Sequence, residues 1–362
     1  MLNLSKKTKT IDPILFSLII SLLAFGIIMA YDSTVVYAFT IFGGKYHYLI
    51  SQSVWVMIGL LGMMLVTTID YHRYPKYAPY LLGICLVMLL LVFVPGIGVA
   101  TKGAHRWLNI GGATFQPSEL AKLVMVVYLA SWFSTQKAKF TSFLLLLGAV
   151  ITLVVVEPNL STAMIISGIA IGMYFVSGAP FRHFIFLMFT ALTLGTVLIF
   201  TSQYRLDRLK TYVNPASDQQ GLGYHVTQIK IALGSGGLLG KGIGHSRQKY
   251  DYLPEVCTDS IFAIVGEELG FLGGVILVLA LILVISRAFT IASRAKDTLG
   301  KLLAAGVATW FMLQTFVNLS AMVGLIPLTG VTLPFISCGG SAIIVSLLGA
   351  GVLLRVSKES TL

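Results

Sequence analysis

A run of roughly 20 apolar residues is what a helix needs to cross the hydrocarbon core of a bilayer. This chain of 362 residues strings ten such runs together, most of them separated only by short polar or glycine-rich joints. They lie near 13–34, 48–69, 79–98, 117–134, 141–157, 160–177, 183–202, 260–286, 301–322 and 339–355. The runs are solidly apolar rather than alternating, which excludes a membrane β-barrel. Only 11% of residues are charged against 56% hydrophobic, whereas a water-soluble domain carries about 25% charged residues to coat itself. The sequence therefore predicts an all-α polytopic membrane protein of about ten transmembrane helices. Soluble enzymes and DNA-binding proteins are excluded, and the net charge of +11 is read loop by loop rather than as a sign of nucleic acid.

Ten spans return the chain to the side on which it starts. Fourteen Lys and Arg residues, among them Lys6, Lys7, Lys9, Arg73, Lys137, Arg287, Arg294 and Lys296, fall in one set of short segments, against Lys45, Lys102, Arg106 and Lys122 in the opposite set. The bias of basic short loops toward the cytoplasm places both termini inside. The first run exceeds a signal-peptide core and no small-residue cleavage site follows it, so it is read as retained. A single domain over 1–362 is implied, with residues 203–258 forming a long extracellular loop between the seventh and eighth spans. Its charges do not overturn the orientation, because long loops translocate regardless of charge. Tyr204, Leu206, Leu209, Tyr212 and Val213 share one helical face, and Val226, Ile229 and Leu233 recur at helical spacing. Two amphipathic helices are expected there, lying at the membrane surface or packing with solvated basic faces. Cys85, Cys257 and Cys338 show no paired spacing, so neither a disulfide framework nor a zinc site is supported. Cys257 and Cys338, outside the third span, are the two to test.

Ionisable groups in or beside spans are costly to bury, so the fourteen acidic residues are where chemistry is sought. Asp259 immediately precedes the eighth span. Two roles fit that place: an N-cap favoured by the helix dipole, or a general base at the outer surface. Glu119 and Lys122 share a face at the start of the fourth span, either as a mutually neutralised pair or as the polar lining of a cavity. Lys102 and Arg106 flank a stretch ending in Trp107, which fits an interfacial anchor or an anion site. Glu267 and Glu268 are adjacent in the eighth span and point about 100° apart, so both are not expected to face one partner. Glu157 is expected to be solvated in a short turn, and Gln314 and Asn318 to serve as interhelical hydrogen-bonding glue. The glycine-rich stretch 234–242 has Ser235 in place of the first glycine of a phosphate-binding loop and Gly242 in place of its Ser or Thr. The six histidines include no helix-spaced ligand pair. Neither a Walker ATPase nor histidine-based metal catalysis is supported.

Seven ordered motifs carry a resemblance: Lys102-Gly103-Ala104-His105-Arg106-Trp107; Phe115-Gln116-Pro117-Ser118-Glu119-Leu120-Ala121-Lys122; Gly221-Leu222-Gly223-Tyr224-His225; the glycines of 234–244; Leu253-Pro254-Glu255 with Thr258-Asp259; Gly266-Glu267-Glu268-Leu269-Gly270; and Pro334-Phe335-Ile336-Ser337 with Gly339-Gly340-Ser341. Over nearly its whole length the chain resembles the SEDS family (shape, elongation, division and sporulation), and more the FtsW branch than RodA. The resemblance implies a bacterial cell-membrane peptidoglycan glycosyltransferase, acting in cell division or cell-shape maintenance, that polymerises lipid II on the extracytoplasmic face. The acceptor 4-hydroxyl would attack the donor's anomeric carbon, with inversion, and undecaprenyl diphosphate would leave. Asp259 would be the base, and Lys102, Arg106, Arg205, Arg208 and Lys230 the candidate cations for the diphosphate, aided by a divalent cation, Mg or Mn, whose ligands are unassigned. By the same resemblance Glu119 and Lys122 line a central cavity, and a class B penicillin-binding protein and other divisome or elongasome proteins are the expected partners. A lipid II flippase and a non-enzymatic divisome scaffold are the alternatives. Against the first stands the lack of an inverted repeat, and against the second the convergence of an acid and cations at the outer surface. Cys257, Ser260 and Cys338 depart from the family pattern around the expected site, where it has His or Gln, Phe and an aromatic residue.

Overall fold

A computed structural model describes residues 10–101, 104–135, 139–218, 221–250 and 253–360. Lys6, Lys7, Lys9, Lys102 and Lys137 lie outside them. The ten expected spans are all present as helices: α1 (Pro13–Phe42), α2 (His47–Thr68), α3 (Tyr74–Leu91), α4 (Pro117–Thr135), α5 (Phe140–Val156), α6 (Leu160–Val176) and α7 (Phe181–Phe200). After two helices of the 203–258 loop, α8 (Gln203–Val213) and α9 (Leu222–Ser235), come α10 (Ile261–Ser293), α11 (Thr298–Met322) and α12 (Gly340–Ser357). Among the described residues seven helices are long and apolar enough to cross a membrane, and α5 and α6 are shorter apolar helices. The chain is thus a multi-pass membrane protein. Local chemistry sets the ends: α1 opens with Asp12 accepting the Leu15 amide at 3.0 Å ahead of Pro13, and closes on Gly43 in the left-handed region.

The third helix ends at Leu91, short of the expected 98. The chain turns at Pro95-Gly96, and residues 98–115 form a three-stranded antiparallel sheet, β1 (Gly98–Thr101), β2 (Ala104–Ile110) and β3 (Ala113–Phe115). Gly111 and Gly112, with φ of 61° and 89°, make the two-residue turn between β2 and β3 that a twisted hairpin favours. The helical reading of the sequence passed over this sheet because short strands leave a weak periodic signal.

Helices α4, α11 and α12 are the buried centre, and α4 touches α3, α6, α11 and α12. By contrast α7 buries only Leu187 and turns Phe186, Phe189 and Leu192 outward, as a lipid-facing helix does.

The glycine-rich stretch has a packing role. Helix α10 is interrupted at Gly270 (φ 67°, ψ −166°), which releases backbone groups that a membrane protein must pair internally. The loop pairs them: Lys241 and Gly242 donate to the Glu267 and Glu268 carbonyls at 3.0 and 2.9 Å, while Phe271 and Leu272 donate to Gly237 and Leu238 at 2.9 and 3.1 Å. A Cβ at Gly236 or Gly240 would overlap the Gly266 or Glu268 carbonyl. Glu267 and Glu268 correct the sequence expectation, since both are fully buried and both reach Ser246, one through its hydroxyl and the other through its amide. Lys241 pairs with Glu267 at 2.6 Å, and Lys249 bridges Glu268 at 3.2 Å and Asp32 of α1 at 3.0 Å. An α-helix presents neighbours on different faces, but a loop folded over the helix break meets both.

Candidate active site

Asp259 stands one residue ahead of the α10 cap, which is Ser260, and Ser260 makes no side-chain capping bond. Its hydroxyl lies 2.7 Å from His225 Nε2 on α9 instead. The capping account of Asp259 therefore finds no support in the geometry. The Asp259 carboxylate is buried. Its main-chain carbonyl accepts the Asn318 amide of α11 at 3.0 Å, and the same amide donates to the Val331 carbonyl at 2.7 Å. The Thr258 hydroxyl, with a single proton to share, stands 2.9 Å from Glu255 Oε2 and 3.3 Å from Asp259 Oδ1. Burial, and then the charge of Glu255, push the Asp259 carboxyl up to about 6, against a smaller opposing pull from Arg208. Glu255 has φ of 51°, a left-handed conformation that a non-glycine residue holds only when its surroundings impose it.

The cations are distributed unevenly. Arg208 on α8 donates to the Leu328 carbonyl at 2.9 Å and to the Tyr204 hydroxyl at 2.5 Å. Arg106 on β2 donates to the Glu157 and Pro158 carbonyls at 3.2 and 2.5 Å, and burial and the like charge of Arg208 lower its pKa. The structure therefore gathers Arg106 and Arg208 on the same side as Asp259. Arg205 instead turns back to the Leu198 carbonyl at the end of α7, 2.9 Å away. Lys230 is exposed on α9, its stem against the turn at Gly324. Lys102 lies outside the described residues. Glu157, expected to be solvated, is fully buried beneath Arg106, and burial raises its carboxyl to about 8.

Lys122 and Glu119 form a buried pair, with Nζ 2.9 Å from each carboxylate oxygen. Lys122 also donates to Gln314 Oε1 at 2.8 Å and lies 5.3 Å from the centre of the Trp310 ring. Gln314 in turn donates to the Thr332 carbonyl at 2.9 Å. Gln314 and Asn318, one turn apart on α11, thus hold adjacent residues of the 330–332 segment, Gln314 reaching the Lys122 pair and Asn318 reaching Asp259. Read from sequence as interhelical glue, they brace both constellations through one loop. Their i, i+4 spacing signalled a shared face, not what that face meets.

The second correction concerns the cysteines. Cys257 and Cys338 form a disulfide, with Cα atoms 5.2 Å apart across a sequence separation of 81 residues, and Cys85 is free and buried. The available signal was position: one cysteine lies two residues before Asp259, the other in the loop ahead of α12. Spacing carried no information because a bridge between distant loops has no characteristic interval.

Residues 13–362 match the cell cycle protein family of FtsW, RodA and SpoVE. The chain is 38% identical to the stage V sporulation protein E of Bacillus subtilis, over 98% of this chain and 99% of that protein. It is 37% identical to a probable peptidoglycan glycosyltransferase FtsW from a Geobacter species, over 98% of each. Among solved structures, a chain of a peptidoglycan synthase complex that coordinates polymerization and crosslinking superposes with a TM-score of 0.79 at 28% identity, covering 96% of this chain and 97% of that one. The rod-shape-determining protein RodA of Thermus thermophilus gives 0.72 at 28% identity, covering 97% and 98%.

Proposed function

The chain belongs to the FtsW, RodA and SpoVE family of cell cycle proteins, and from that premise we propose that Asp259 is the general base with which it polymerises lipid II. The protein is a membrane peptidoglycan glycosyltransferase of cell division or cell shape. In the proposed reaction the 4-hydroxyl of the acceptor sugar attacks the anomeric carbon of the donor. The new C–O bond forms as the bond to the diphosphate breaks, and the hydroxyl proton passes to an Asp259 oxygen. A single displacement inverts the anomeric centre, so an α-linked diphosphate becomes a β linkage without a protein nucleophile. The diphosphate is a good leaving group whose growing charge needs fixed cations more than a proton. Arg106 and Arg208, which lie close enough to influence each other's charge, are the residues this reading assigns to supply them. Glu119 and Lys122 would line the substrate cavity, and Lys102, Arg205 and Lys230 remain candidate diphosphate contacts.

The observation that carries this reading is a buried carboxylate whose proton affinity is raised toward neutrality within the field of Arg208, the condition a general base needs. A divalent cation, Mg or Mn, would add its charge against the diphosphate, its ligands being unassigned. Both termini would be cytoplasmic with the 203–258 loop and the site outside, an orientation supported by the basic short loops and by a disulfide on that face, since such bonds persist in oxidising compartments. A class B penicillin-binding protein is the partner that would cross-link the glycan in a 1:1 complex, by analogy with the neighbouring synthase complex.

The test is Asp259→Asn. The substitution keeps size and folding while removing the proton acceptor, so polymerisation by the reconstituted protein should fall about 100-fold to 10,000-fold with lipid II binding retained. Near-normal glycan synthesis would refute the base and return the flippase and scaffold readings.

A further inference from the structure

Two of the three departures from the family pattern are the halves of one covalent bond beside the proposed base. Cys257 lies two residues before Asp259, and Cys338 closes the loop leading into α12. The contact is not through sulfur alone, because the Cys338 amide donates to the Cys257 carbonyl at 2.7 Å. Both cysteines are buried against Ala30 of α1. The loop carrying Cys338 is itself anchored: Ser337 Oγ accepts the Leu333 amide at 2.8 Å, and Gln52 of α2 donates to the Ser337 carbonyl at 3.4 Å. The same loop begins beside the base, where a Cβ on Gly330 would stand 3.9 Å from Asp259 Oδ2.

This bond is the covalent tie between the segment leading into Asp259 and the loop ahead of α12. Pro254 and Glu255 are exposed, and the Thr258 and Ser260 amides return only to the Glu255 carbonyl within the same turn, at 3.1 and 3.3 Å. Its ties to the rest of the protein include the Leu253 amide on the Gln248 carbonyl, the Cys338 amide on the Cys257 carbonyl, the Asn318 amide on the Asp259 carbonyl and the His225–Ser260 contact on the far side. A cross-link between residues 81 apart removes the freedom of two loops to drift relative to each other.

We propose that the Cys257–Cys338 disulfide is a positioning clamp for Asp259, so that glycan polymerisation by this protein depends on the oxidised state of the pair. The inference rests on the reading of Asp259 as base. Opening the clamp needs a reductant of the dithiol class. One thiolate of the dithiol attacks a cysteine sulfur, the S–S bond breaks, and the second thiol resolves the mixed disulfide. Two electrons and two protons end on Cys257 and Cys338, and the dithiol becomes its cyclic disulfide. With the bond open, the Asp259 segment is free to shift relative to the Gly330–Cys338 loop. A displacement of roughly 1 Å at a reacting group costs about 100-fold.

The experiment uses the full chain in lipid vesicles with lipid II as substrate. Cys257→Ser/Cys338→Ser should lower kcat on the order of 10- to 100-fold while KM stays within about twofold, because the base, not the binding surface, has moved. A purely structural bond would instead reduce the folded yield or Tm and leave kcat per folded molecule unchanged. Should the double variant not accumulate, dithiothreitol-treated wild type, with two newly free thiols counted by peptide mass, should show the same loss of kcat and regain activity on reoxidation. Wild-type kcat in the double variant or in verified reduced protein overturns the clamp, as does finding both thiols free in active purified protein. In any of these outcomes Asp259→Asn still reports separately on the base: a dead Asn variant beside an active double-serine variant rejects the clamp alone, and an active Asn variant rejects the base itself.

Discussion

Burial and the neighbouring Glu255 charge raise the Asp259 carboxyl from 3.8 to about 6, and the acid limb of the rate is where that shift becomes visible. A general base works only when unprotonated, so the rate follows the ionised fraction. With a midpoint near 6 that fraction is about 90% at pH 7 and about 10% at pH 5. Polymerisation should therefore fall about tenfold between those values, whereas a carboxylate at its ordinary pKa would be over about 90% ionised at pH 5 and lose almost nothing. Two substitutions should move the limb in opposite directions. Glu255→Gln removes the charge that disfavours the Asp259 anion, so the midpoint should drop. Arg208→Gln removes a charge that favours it, so the midpoint should rise, whatever happens to the maximal rate. The assay is kcat from lipid II consumption by the reconstituted protein across pH 4.5 to 8, with folding checked at each end. A rate that stays flat down to pH 5, or two substitutions that shift the limb the same way, would refute the assignment of a buried base with Glu255 and Arg208 as its charged neighbours.

The Lys122–Glu119 pair gives a stability prediction. Lys122→Met strands a buried carboxylate and should destabilise by about 3–5 kcal/mol, and Glu119→Gln/Lys122→Met should recover much of that in thermal unfolding. If activity stays lost in the stable double variant, the pair also serves the substrate; recovery of activity would leave it structural. Gly240→Ala should lower the folded yield sharply, since its Cβ overlaps the Glu268 carbonyl, and an alanine variant that accumulates normally would mean the loop is not locked into the α10 break. For orientation, a membrane-impermeant maleimide should label Arg247→Cys but not Lys296→Cys in intact cells; the background is silent because Cys257 and Cys338 are bonded and Cys85 is buried.

The helices were legible because each is an apolar run ended by glycine, proline or charge, and those signals are local. All ten appear, but the first and eighth run on to Phe42 and Ser293 beyond their expected ends at 34 and 286, and the third stops at Leu91, where the chain turns through Pro95 and Gly96 into β1. Asp259 was legible as a candidate because an acid at a span edge is conspicuous, although its spacing fits a cap as well as a base. What separated the two was the Ser260 hydroxyl turning to His225, a contact across 35 residues that no periodicity records. The same holds for Glu157, which reads as a solvated turn residue and lies buried because Arg106 reaches it from a sheet whose short strands leave only a weak periodic signal.

The polar residues of α11 carry this furthest. Gln314 and Asn318 lie one turn apart, so a helix periodicity places them on one face and stops there. The structure gives that face a single stretch of loop, 330–332, with Gln314 bonded to Thr332 and Asn318 to the adjacent Val331. The same two side chains take Lys122 and the Asp259 carbonyl. The buried Lys122–Glu119 pair and Asp259 are therefore both tied to the 331–332 loop through one helical turn of α11. Because that loop also ends in Cys338, the covalent bond, Asp259 and the buried pair form one connected unit, assembled from four chain segments.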